Sequence, residues 1–129
     1  MKTSTREWVH LAEDDFQVAC TLIETRRKVG PNSICFHCQQ SIEKHLKARL
    51  AEADIYFPKT HDLKLLLNLS LAVEPLWEAF RTKFDLLNEF AVTIRYPGQT
   101  ALRRDAVAAL KICRSFRKDA RLALCLPPR

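Results

Sequence analysis

ICFHCQQSIEKHLKARL, residues 34–50, decides the class of fold. Ile34, Cys38, Ile42 and Leu46 recur every four residues, with Ser41, His45, Arg49 and Leu50 alongside, which is the period of a helix burying one face. Asn32 or Ser33 is placed to cap this helix, which should run to about Ala53. The same period extends outward in both directions. Upstream, Trp8, Leu11/Ala12, Phe16, Ala19 and Leu22/Ile23 predict a first helix over residues 5–28, with Ser4 and Glu7 at capping-box spacing and Gly30-Pro31 as its end. Downstream, Asp54–Lys59 reads as a loop carrying Tyr56 and Phe57. Thr60 then caps a short leucine-rich helix, His61–Leu71. Pro75 opens a fourth helix with the stripe Leu76, Phe80, Phe84, Leu87, Ala91 and Ile94. Arg95-Tyr96-Pro97-Gly98 breaks that helix, and a last one spans Thr100–Ala123 on Leu102, Ala106, Ala109/Leu110, Cys113, Phe116 and Ala120.

These elements predict an all-α antiparallel bundle of four long helices plus one short helix, forming one domain over residues 1–129. Composition agrees. The chain has 129 residues but only two glycines, Gly30 and Gly98. Gly-rich phosphate loops, dinucleotide fingerprints and tight hairpins all need more. Met1–Glu13 is polar and no apolar run approaches the roughly 20 residues of a membrane span, so a cytoplasmic protein with no membrane contact is expected. Five cysteines (Cys20, Cys35, Cys38, Cys113, Cys125) fit the same compartment, as small buried or free thiols.

The net charge of +6 is unevenly placed. Residues 1–100 hold 13 basic and 13 acidic side chains, whereas residues 101–129 hold eight and two, so the entire excess lies in the last segment. Arg103, Arg104, Lys111, Arg114, Arg117, Lys118 and Arg121 form a basic face on the last helix. It reads either as a solvated face or as a surface for RNA or another anionic partner.

Three constellations are candidates for chemistry. Cys35-Phe36-His37-Cys38 has the spacing of half a zinc site, but no second ligand pair exists, so no metal and no cofactor is expected. On the second helix, His37, Gln40, Lys44 and Lys47 follow at three- and four-residue steps and share a face, with Glu43 and Lys47 placed for an i,i+4 pair on an exposed surface. Asp15, beside Phe16 on the apolar stripe of the first helix, requires a cationic partner from another helix. Arg95, next to Tyr96 and a proline, is either a helix-terminal cation or a fork for phosphate or carboxylate.

HCQQSIEKHLKA (His37–Ala48), KTHDL (Lys59–Leu63) and RYP (Arg95–Pro97) occur in this order and in matching helical context. Together they resemble the HEPN domain family (higher eukaryotes and prokaryotes nucleotide-binding), in its small prokaryotic branch often encoded beside a minimal nucleotidyltransferase. The resemblance implies a helical bundle that forms homodimers, pairs with such an enzyme in a toxin-antitoxin-like system and binds nucleotide or RNA. It places ligand or partner contacts at His37, Gln40, Glu43, Lys44, Lys47, His61, Asp62, Arg95 and Tyr96. Nuclease members of the family also carry an arginine and a histidine with four to six residues between them. Here Arg95 matches, but positions 100 to 102 are Thr100, Ala101 and Leu102, and no histidine follows Arg95. That removes a proton-transfer group of the kind that contributes of order 10²–10⁴-fold. The expected function is therefore a non-catalytic or weakly catalytic subunit. The alternatives are a metal-independent RNase using Arg95 with His61, or a simple RNA-binding module using the last helix.

Overall fold

The computed structural model describes residues 1–25, 30–93, 97 and 100–128. Among these the architecture is all-helical: α1 (Thr3–Thr25), α2 (Gly30–Glu52), α3 (Leu63–Ser70), a 3₁₀ turn at Pro75–Phe80 running directly into α4 (Arg81–Thr93), and α5 (Arg103–Ala123). α2 is the central element, packing along α1 most extensively and against α5, α3 and α4 on its other sides. Its stripe Ile34, Cys38, Ile42, Leu46 and Leu50 is 0–2% exposed. Because it meets neighbours on several sides, its polar residues are also buried, including Ser41, Glu43, His45 and Lys47.

Helix starts differ from expectation in informative ways. Gly30-Pro31 opens α2 rather than closing α1, because proline's missing N–H costs nothing in a first turn. Asn32, expected as a cap, instead accepts the backbone N–H of Ala101 at 2.7 Å and ties the start of α2 to the approach into α5. Ser4 lies inside α1. α3 is capped not by Thr60 but by Asp62, whose carboxylate accepts the N–H groups of Lys64 and Leu65, while Thr60 accepts the N–H of Asp62. Asp62→Ala is expected to cost about 1 kcal/mol in urea unfolding, and Asp62→Asn almost nothing.

The 3₁₀ turn reassigns the fourth stripe. With three residues per turn, Trp77 and Phe80 share the inner face, and Leu76 turns out to 87% exposure. Trp77, Phe80 and Phe84 surround Phe116 of α5, each edge-on with ring centroids 4.8–5.1 Å apart. Leu102 is also outside the core, half-exposed at the N-terminus of α5.

Candidate functional site

The charged residues of α2 are drawn inward, chiefly by α1. Asp15 is buried and receives two donors from α2: His37 Nδ1 at 2.8 Å and Lys44 Nζ at 2.5 Å. The cationic partner its position demanded is Lys44. One turn further along, Lys47 Nζ donates to Glu43 at 3.0 Å, and both side chains are almost fully buried. The pair forms, but not on a solvated face. Trp8 covers the ammonium at 5.1 Å from its ring centroid, and Phe57 of the following loop packs edge-on against Trp8. Gln40 is half-buried on the same helix.

Glu43 has a second partner. The Asp54–Lys59 loop folds back so that His61 Nδ1 lies 2.9 Å from Glu43 Oε1. A carboxylate oxygen accepts, so Nδ1 is the donor in this contact and Nε2 is not engaged by Glu43. The ring is 77% exposed. Lys47, Glu43 and His61 thus form a chain that fixes one imidazole at the surface. Asp62 beside it is engaged as the cap of α3. Arg95 and Tyr96 lie outside the described residues.

A second polar cluster joins α1 to α5 and was not singled out from the sequence. Arg117 Nε donates to Glu13 at 2.8 and 3.1 Å, and Arg121 donates to Glu13 at 2.9 Å and to the carbonyl of Pro127 at 2.9 Å. His45 Nε2 stands 3.6 Å from Glu13, and neither ring nitrogen of this fully buried histidine has a hydrogen bond among the described residues. Burial would raise the Glu13 pKa, but His45 and Arg117 outweigh it and hold the carboxyl at about 2. Arg117 also stacks on Phe16, 4.5 Å from its centroid.

The basic face of α5 is therefore divided. Arg117 and Arg121 face inward, and Arg103 reaches the Ile23 carbonyl at 3.1 Å. Arg104, Lys111, Arg114 and Lys118 remain on the exposed side.

Cys35 and Cys38 are both fully buried and point into the core. The neighbouring Cys113 thiol and burial push the Cys38 thiol far up, and burial with Asp105 nearby raises Cys35 to about 11. They are protonated apolar fillers, and His37 between them is engaged with Asp15. Among the described residues no group of three or more metal-capable side chains converges, and no helix is long and apolar enough to cross a membrane.

No curated protein and no solved structure matches the chain. The sequence model of the HEPN domain, however, matches residues 5–122. That span runs from the first turn of α1 to the last turn of α5 and includes every side chain of both polar clusters, so the chain belongs to the HEPN domain family.

Proposed function

We propose that this chain is a non-catalytic HEPN subunit of a cytoplasmic two-component system of toxin-antitoxin type. It forms a homodimer and pairs with a minimal nucleotidyltransferase, with nucleotide or RNA as a further ligand. The observation that supports this reading is the fate of the α2 charges. Lys44 and His37 both engage Asp15 and so tie α2 to α1, while Glu43, paired with Lys47 on α2, also holds His61 at the approach to α3. Groups so engaged hold neighbouring elements together, a structural role that a non-catalytic subunit requires. The cations left exposed on α5 suit association. Co-expression with a nucleotidyltransferase encoded beside it should yield one stoichiometric complex on size exclusion. Separate elution of the two proteins would contradict the reading.

One observation favours a second reading. His61 is exposed and its Nδ1 is held by a buried carboxylate, the arrangement that orients an imidazole for proton transfer. Paired with Arg95, it would serve a metal-independent RNase. This predicts RNA cleavage that persists in EDTA and falls by about 10²-fold or more in both Arg95→Ala and His61→Ala. Under the first reading the purified chain leaves RNA intact. Cleavage equal in wild type and both variants would come from a contaminant.

A further inference from the structure

Between α1, α5 and the segment after α5 lies a half-open groove of about 960 Å³. Its walls combine two chemistries. Phe16, Leu122, Leu126 and Pro128 supply apolar surface, and Leu122 stands 77% exposed although it is a large aliphatic side chain. Arg114 and Lys118, one turn apart, stand exposed at the edge. The floor is the Glu13 cluster, whose carboxylate is already shared by two guanidiniums. An exposed leucine among cations, beside a preformed groove, has the composition of an interface centre with a charged rim.

We infer that this groove is a docking site for an acidic amphipathic segment of a partner protein. Leucine-type side chains would enter between Phe16 and Leu122, and carboxylates would meet Arg114 and Lys118. Charge complementarity selects the acidic partner. The walls select a peptide over a nucleic acid for two reasons. Among the described residues Phe16 is the one aromatic ring lining the groove, and the Arg117 guanidinium 4.5 Å from its centroid covers one of its two faces, which leaves a poor stacking platform for successive bases. Asp14 also lines the groove, which disfavours a continuous phosphate backbone, whereas discrete carboxylates can be spaced to meet Arg114 and Lys118. An amphipathic helix laid between two helices is a recurrent mode of such recognition.

The inference rests on the partner reading above and names its surface. The probe is a fluorescein-labelled helical peptide of about 14 residues, roughly four turns, with leucines along one face and glutamates flanking them. Fluorescence anisotropy against the full chain should show saturable one-to-one binding. The exposed-site variants Leu122→Asp and Arg114→Glu/Lys118→Glu, checked for an unchanged melting temperature, should each weaken binding by about tenfold or more, the size of one lost interface anchor. Replacing every glutamate of the peptide by glutamine, or every leucine by serine, should do the same. No saturable binding, binding indifferent to both variants, or displacement of the peptide by single-stranded RNA of similar length would overturn the assignment. A chain that copurifies with its nucleotidyltransferase yet fails this test loses only the groove; one that binds the peptide but no such enzyme loses only the partner's identity.

Discussion

Glu13→Ala is expected to destabilise the fold by about 3–5 kcal/mol, the cost of leaving partly buried cations without their anion. Glu13 is a carboxylate that Arg117 and Arg121 share, with His45 buried behind it. Removing it takes the shared anion from two guanidiniums whose side chains are only 12% and 7% exposed. Urea unfolding at neutral pH measures the loss. A variant within about 0.5 kcal/mol of wild type would show that the cluster contributes nothing net, as isolated surface pairs often do.

The same group dictates an acid dependence. Its folded pKa, about 2, lies below the ordinary value of 4.5. The ionised form is thus favoured by folding, so its contribution is complete above about pH 4.5 and is lost as pH falls towards 2. Through this group wild type should therefore lose at most about 3 kcal/mol in this window, at 1.36 kcal/mol per unit, with solvent screening of a carboxylate 25% exposed reducing the figure. Glu13→Gln should lack that part of the slope and approach wild-type stability at the acid end. Parallel curves for the two proteins between pH 5 and 2 would contradict the assignment.

Phe116→Ala carries the second large effect, a loss of about 3–5 kcal/mol. Phe116 is fully buried and is the common neighbour of Trp77, Phe80 and Phe84. No single rotamer change can refill a space bordered by three rings on a 3₁₀ turn and α4. Phe116→Leu should recover more than half of the loss, because it restores most of the volume. Thermal unfolding followed by near-ultraviolet circular dichroism also reports whether the aromatic packing survives. A loss below about 1 kcal/mol would mean that the cluster collapses freely onto the vacancy.

The difference between what could be read from the sequence and what could not follows from distance along the chain. The α2 stripe, the turn after it and the cationic demand of Asp15 are local patterns, and periodicity exposes them. The reading of Glu43 and Lys47 as an exposed pair failed because spacing identifies neighbours but not what covers them. Here the cover is Trp8, from a helix nearly forty residues upstream. The Glu13 cluster was illegible for the same reason: its bonds span 104 and 108 residues, and Arg117 and Arg121 read as members of a basic face until α1 is placed beside α5. Helix starts were misread where two signals compete. Gly30-Pro31 suits both the end of one helix and the start of the next, and only packing against α1 and α5 chooses. Leu76 and Trp77 exchanged roles because a 3₁₀ turn keeps a period of three where an α-helix was expected.

The central claim is that this HEPN chain acts through a protein partner. Its most direct measurement is affinity capture of the tagged chain from its own host at native expression, with and without nuclease treatment. The prediction is a stoichiometric small nucleotidyltransferase, retained after nuclease and reduced by Arg114→Glu/Lys118→Glu. Recovery of RNA alone, with all accompanying protein lost on nuclease treatment, would contradict it and move the function to nucleic-acid binding on the exposed side of α5.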